Sequence, residues 1–264
     1  MAEPVYAWDH RTYCDLFVEQ ADRLAEITQH ADLAAEVPTC PGWTLGKLLK
    51  HVGIAHVWSA ANVRAGAAPE AVVARSLDLG LPEDPADMPA WLAAGARRSA
   101  DYLREVEPDA PAWTFGPDKN ARFWSRRMLH ETLVHRIDAE LALGNTPGVA
   151  PGVAVDAIDE LLTVLPGNLR LRPADAGPQG AGETLHVHTS GGELPGEWTI
   201  TLTPDGYTWD RGHAKGDAAL RGDATGVLLA MHRRVTVDEA IAGGGVEVFG
   251  DRAVLDRWLA ATAL

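Results

Sequence analysis

The apolar residues of this chain change their spacing about two-thirds of the way along its length. In the first half they recur at helical intervals, separated by charged residues and interrupted by proline-rich stretches. Four segments carry that pattern, and their number and loops predict an antiparallel four-helix bundle. The predicted helices cover residues 9–33, 44–64, 89–106 and 122–143.

After the turn signal Asn-Thr-Pro-Gly at 145–148, one more helical segment is followed by β-rich, partly alternating residues. We therefore predict two domains, a helical one over residues 1–146 and a smaller α+β one over residues 147–264, which makes the fold class α+β. The second domain is predicted to contain helices at 153–165, 223–233 and 252–261 and strands at 184–189, 198–203, 218–221 and 246–249.

Charge and composition exclude several classes of function. The 264 residues include 23 basic and 37 acidic side chains, a formal net charge of −14, which disfavours nucleic acid and anionic membranes as partners. The two cysteines cannot build a disulfide framework or a cysteine-rich zinc site. No apolar run approaches a membrane span, and residues 1–10 show no signal peptide, so we expect a cytoplasmic protein.

The fourth predicted helix carries polar residues in the middle of an apolar stripe. Glu131 and His135 are four residues apart, so their side chains lie on adjacent turns of one face and can act as a pair of metal ligands. A buried hydrogen-bonded pair or a solvated face would produce the same spacing. The stripe consists of Trp124, Met128, Glu131, His135, Asp138 and Ala142.

The second predicted helix offers a third ligand. His51 lies on a stripe that could face Glu131 and His135, and three such ligands leave coordination positions open, as in catalytic zinc sites. A histidine on an apolar stripe is more often a core residue, and His56, on a neighbouring stripe, could replace His51. His130 is expected to be a neighbour of the site or structural.

In the second domain, His186 and His188 share one face of a predicted strand. Such a pair could ligate a metal, but no partner is apparent in the sequence. An exposed or structural role is therefore favoured for both histidines.

Several of these segments resemble the mycothiol-dependent maleylpyruvate isomerase family. The similarity covers nearly the whole chain and is most specific in the first half. The matching segments are PTCPGWT at 38–44, LLKHVGIAH at 48–56, HETLVHRIDAE at 130–140, LRGD at 220–223 and VEVFGD at 246–251. The resemblance implies a DinB-like four-helix bundle followed by a small α+β domain.

The resemblance also implies a site and a co-substrate. It assigns the ligands of a divalent metal, with zinc expected, to His51, Glu131 and His135, and a further acidic position to Asp138. It implies mycothiol as the thiol that the metal activates. The sequence departs from the commoner family pattern at Ile137 and at Met231-His232-Arg233, which leaves the substrate open.

Further roles follow from position and chemistry. Asp138 and Arg233 are assigned as catalytic, with Asp138 orienting a ligand or acting as a base. Arg234 is a candidate to pair with a carboxylate of the thiol or substrate, and Trp58 to line its binding site. Cys40 is expected to be structural in a rigid turn rather than a nucleophile or an extra ligand.

Together these features predict an isomerase or S-transferase that binds a thiol and a small electrophile, as a monomer or homodimer. Two alternatives stay open. One is a thiol-independent, metal-dependent hydrolase of the DinB type, and the other is a non-enzymatic small-molecule-binding protein.

Overall fold

A computed structural model of the chain describes residues 6–169, 177–191 and 196–262, with side chains at 168 and 169 left aside. It divides into two compact units: one is Trp8–Pro147, and the other joins the described residues before Trp8 with those from Gly148 onward. Among the described helices, none is both long and apolar enough to cross a bilayer.

The first unit is the predicted helix bundle. Its helices are α1 (His10–Thr28), α2 (Leu45–Ala65), α3 (Met88–Glu105) and α4 (Ala121–Ala142). Polar side chains cap three of them: Asp9, Thr44 and Asn120 accept hydrogen bonds from backbone N–H groups in the first turns of α1, α2 and α4. Helix α1 ends at Thr28, earlier than predicted, and the residues after it form turns, in one of which the Asp32 carboxylate accepts the N–H of Ala34.

The direction of each helix follows from its contacts. The start of α1 meets the end of α3, where His10 bonds the Leu103 carbonyl, and it also meets the start of α4 at Ser125. Helices α2 and α3 run parallel, since Gly53 lies against Trp91 and, further along both helices, Ser99 donates to the His56 carbonyl. Helices α2 and α4 run antiparallel, since His51 meets Glu131 and Trp58 meets Trp124. The predicted antiparallel arrangement thus applies to two of the four neighbouring pairs, α1–α3 and α2–α4, whereas α1–α4 and α2–α3 are parallel. Helices α2 and α3 can be parallel because the long 66–87 connection carries the chain from the end of α2 back to the end of the bundle where α2 began.

A buried polar network fastens α1 to α4. The Arg136 guanidinium is almost completely buried and donates to Gln20 (2.9 Å) and to the Glu140 carboxylate (2.7 Å). Arg23 donates to the other oxygen of Glu140 at 3.0 Å. These bonds hold the two helices in register and orient the face of α4 that points to α2.

The second unit contains a five-stranded mixed sheet. Its helices are α5 (Pro151–Leu169), α6 (Ala224–Met231), α7 (Val237–Ala242) and α8 (Arg252–Ala261). The strands are β1 (Thr184–Ser190), β2 (Gly196–Thr203), β3 (Gly206–Arg211), β4 (Ala218–Asp223) and β5 (Val246–Gly250). They are arranged in the order β3-β2-β1-β4-β5, and only β1 and β4 pair in parallel.

Helices cover one face of this sheet. On that face Trp198 donates its indole N–H to Asp159 of α5 (3.1 Å), and the Tyr207 hydroxyl donates to the Leu162 carbonyl. Side chains alternate along β2 between buried and partly exposed positions, so Glu197 and Thr199 lie on the opposite face. Strand β3 and helix α7 were not predicted from the sequence.

Candidate metal centre

Helices α2 and α4 bring three predicted ligands together. Glu131 and His135 lie on successive turns of α4, and His51 faces them from α2. The His51 Nε2 atom is 2.9 Å from Glu131 Oε1, and the His135 Nε2 atom is 3.4 Å from the same oxygen. One donor atom from each of the three residues lies within 4.8 Å of the others, so the cluster has the size of a metal site.

The Glu131 carboxylate is held ionised. Burial would raise its pKa, but the adjacent Arg127 guanidinium and hydrogen bonds from His135 and His51 outweigh burial and hold the pKa well below its usual value. Arg127 contacts Oε2, whereas the two histidines face Oε1. The carboxylate therefore presents a negatively charged oxygen between the two imidazoles.

His135 is oriented from its other ring nitrogen. Its Nδ1 atom is 2.8 Å from Asp138 Oδ2, and the Asp138 side chain is fully buried. Burial would lower the His135 pKa, but hydrogen bonds to Asp138, Cys40 and Glu131 raise it well above the ordinary value. With Nδ1 engaged by a carboxylate, Nε2 points to Glu131 and His51, as in carboxylate–histidine–metal arrangements.

The turn before α2 supplies the remaining contacts. The Thr39 hydroxyl donates to Asp138 Oδ1 at 2.6 Å, and the Cys40 thiol donates to Oδ2 at 3.4 Å. Gly42 has φ +82°, a conformation that favours glycine and lets the turn close. Trp43 then packs against both imidazoles, with ring centroids 4.8 Å from His51 and 6.0 Å from His135.

A second donor set overlaps the first. Cys40, His135 and Asp138 also place their donor atoms within 4.8 Å of one another. In that set the Asp138 oxygens already accept hydrogen bonds from Thr39 and Cys40. The set with His51 has a partly exposed side, since 43% of the His51 side chain is accessible. That opening suits a site that binds a small molecule.

Other predicted residues lie elsewhere. His56 is fully buried and bonds Thr132 at 2.9 Å, so it belongs to the core and does not replace His51. Trp58 packs on Trp113 and Trp124 and donates its indole N–H to the Val72 carbonyl. Its role in thiol binding stays a prediction.

The two predicted arginines belong to the second unit. Arg233 follows α6 with φ 58°, and Arg234 donates to the His232 carbonyl at 2.8 Å. Their catalytic and binding roles also stay predictions.

Sequence reasoning missed three side chains around the cluster. Arg127 lies four residues before Glu131 on α4, a spacing that would have revealed the ion pair. Thr39 and Trp43 lie in the turn that the sequence predicts to be structural, and no local pattern links that turn to α4.

The fold and the donor cluster define a two-domain protein with a His/Glu/His centre on a helix bundle. Two family models match the chain: the mycothiol maleylpyruvate isomerase N-terminal domain over residues 14–140 and the C-terminal domain of that family over residues 152–257. The chain belongs to the mycothiol-dependent maleylpyruvate isomerase family.

Two solved structures share this fold. One is described as the mycothiol-dependent maleylpyruvate isomerase and the other as a histidine-to-alanine variant of such an enzyme, with TM-scores of 0.54 and 0.56. Each is 16% identical to this chain and aligns over 90% of it and 91% of the solved chain. No curated protein sequence matches the chain.

Proposed function

We propose that the chain is a metal-dependent isomerase that uses mycothiol as a thiol co-substrate. The observation that carries this proposal is the convergence of His51, Glu131 and His135 on one point of the bundle in a chain of this family. Two imidazoles and one carboxylate fit Zn²⁺ and leave a coordination position open. When bound, the metal would supply a Lewis acid that lowers the pKa of a thiol.

The chain's own residues prepare the site for that chemistry. Glu131 contributes a negative charge that favours a cation. Asp138 holds His135 by its Nδ1 atom and keeps Nε2 directed at the cluster. Trp43 covers the two imidazoles on one side, which limits the access of water there.

The reaction that suits a thiol and such a site is cis–trans isomerisation. A thiolate adds to an electron-poor double bond, the resulting single bond rotates, and expulsion of the thiolate restores the double bond in the other configuration. The thiol is returned unchanged, so no oxidant or reductant is consumed. Arg233 and Arg234 are proposed to pair with carboxylates of the substrate or thiol.

Purified protein with Zn²⁺ should catalyse isomerisation of maleylpyruvate only when mycothiol is added, and mycothiol should raise the melting temperature only when metal is present. His135→Ala should abolish both effects, because it removes a ligand. His30→Ala, at an exposed residue of the same unit, serves as the matched control. Turnover of an ester or amide without any thiol would favour a hydrolase, and a metal-loaded protein that neither binds mycothiol nor turns over would favour a binding protein.

A further inference from the structure

Three histidines and a glutamate gather on the second unit's sheet, on the face opposite α5. His186 and His188 project from β1 to this face, and Glu197 lies directly opposite His188 on β2. The His188 Nε2 atom is 3.4 Å from Glu197 Oε1. From the sequence these histidines were expected to be exposed or structural, yet His186 is only 6% exposed.

The chain after β3 adds the fourth member of the cluster. Gly212 has φ +116° and donates its N–H to the Glu197 carbonyl at 3.0 Å. This turn directs His213 back over the sheet, where its Nδ1 atom is 3.2 Å from Glu197 Oε2. The His213 ring centroid is 5.1 Å from that of His186, and the two rings are nearly perpendicular.

The donor atoms have the separations that a metal requires. The Nε2 atom of His186 is 3.8 Å from Glu197 Oε2, and the donors of His186, Glu197 and His213 all lie within 4.8 Å of one another. Ligands around a tetrahedral zinc ion, bound at 2.0–2.2 Å, are about 3.3 Å apart. The cluster thus needs only small side-chain shifts to enclose an ion.

One of these donors is buried without a hydrogen bond. His186 Nε2 finds no hydrogen-bond partner within the described parts of the chain, and neither does the buried hydroxyl of Thr199, which lies opposite His186 on β2. Burying a polar atom without a hydrogen bond is unfavourable, so two such atoms on neighbouring strands point to a missing ligand.

The charges around the cluster are compatible with a cation. Arg221 lies opposite His188 on β4, and Glu247 of β5 lies opposite Arg221 in turn. The Arg221 side chain is therefore next to the Glu247 carboxylate, and strand β1 lies between Arg221 and Glu197.

We propose that His186, Glu197 and His213 form a second metal site, specific for a divalent transition ion such as Zn²⁺. Two imidazoles and a carboxylate are ligands of that class of ion. The site ties the chain after β3 to β1 and β2, and water completes the coordination at the exposed His213. His188 acts as a positioning residue, since it contacts the carboxylate oxygen that the other two histidines do not use.

The test is zinc binding by the full-length chain. Protein stripped of metal with a chelator and dialysed against Zn²⁺ should retain about two ions per chain. His213→Ala and Glu197→Gln should each retain about one, with affinity at the second site weakened about 100-fold. His213 is 77% exposed, so its replacement is not expected to impair folding. His30→Ala should keep both ions.

Unchanged zinc content in both His213→Ala and Glu197→Gln would overturn the proposal. The site on the bundle is distinguished by His135→Ala, which should leave the sheet site loaded. If the bundle does not bind zinc, the wild type should retain only one ion per chain. His213→Ala should then remove that ion, and His135→Ala should leave it in place. A melting temperature raised by Zn²⁺ in His135→Ala but not in the double variant His135→Ala/His213→Ala gives an independent readout.

Discussion

The two ring nitrogens of His135 perform different tasks. Nδ1 contacts the buried Asp138 carboxylate, and Nε2 faces Glu131 and His51. One side chain therefore connects the interior of the bundle to its donor cluster. Asp138 acts through His135 and through the Thr39 and Cys40 contacts, so its contribution can be separated from direct ligation.

Asp138→Asn should weaken zinc binding at the bundle site about 10- to 100-fold, because it removes the charge that orients and polarises His135. Competition with a chelator of known affinity measures the change, and Glu70→Gln, at an exposed residue, is the control. Cys40→Ala should change the affinity by less than about 3-fold. Loss of zinc from the bundle site in Cys40→Ala would instead identify Cys40, His135 and Asp138 as the ligand set.

His56 should make the protein sensitive to acid. Burial lowers its pKa from 6.5 to about 3, and its Nδ1 atom has no hydrogen-bond partner in the described structure. Because the unfolded chain binds a proton at a higher pH than the folded one, stability is full above pH 6.5 and falls as the pH decreases toward 3. The slope from this residue is about 1.4 kcal/mol per pH unit.

Urea unfolding of the wild type and His56→Gln at pH 7.5 and pH 5 tests this expectation. The wild type should lose about 2 kcal/mol more than the variant between the two values. Equal losses in both proteins would show that His56 is not the residue responsible.

At the scale of elements, helix α2 is placed by close packing as much as by its donors. Gly53 lies against the Trp91 ring of α3, and a Cβ atom at this position would be 2.2 Å from that ring. This approach sets the distance between α2 and α3. With Gly53 turned toward α3, His51, which lies two residues earlier on α2, is on the side of the helix that faces α4.

A pair of glycine substitutions tests this packing. Gly53→Ala should destabilise the bundle by about 1–3 kcal/mol, because the Trp91 ring must move. Gly95→Ala, in the interior of α3, should stabilise it by about 0.5–1 kcal/mol through helix propensity, since only the end of the Arg98 side chain lies near, at 3.7 Å. Chemical denaturation measures the free energy of unfolding of both variants, which should fall in Gly53→Ala and rise in Gly95→Ala. Equal destabilisation of the two variants would contradict the steric explanation.

At the scale of the whole molecule, two units each enclose a core of their own. The bundle core includes Leu24, Leu48 and Leu92, and the sheet core includes Val187, Ile200 and Leu220. The division falls in an irregular segment after α4. Units of this size with separate cores generally fold alone.

A fragment of residues 8–147 should therefore fold and bind zinc. Circular dichroism should show a helical spectrum and a single cooperative thermal transition, and the fragment should retain about one ion per chain that His135→Ala removes. A fragment without a cooperative transition would show that the bundle depends on the second unit.

The sequence by itself determined the helices of the bundle, most strands of the sheet and the pairing of Glu131 with His135. These features depend on local periodicity, caps and spacing along one helix. Helix α7 has a local signal too, since Thr236 and Glu239 form a capping box, but α7 and β3 are each only six residues long, too short for a clear periodicity.

Residue spacing left His51 and His56 as alternatives, and only the tertiary structure decided which of them faces Glu131 and His135 and which polar residues support the site. The choice of His51 over His56 depends on the rotation of α2 against its neighbours, to which the two stripes are equally suited. Glu197 and His213 likewise reach His186 through strand register and a glycine turn. Contacts between residues distant along the chain are set by packing, and no spacing in the sequence records them.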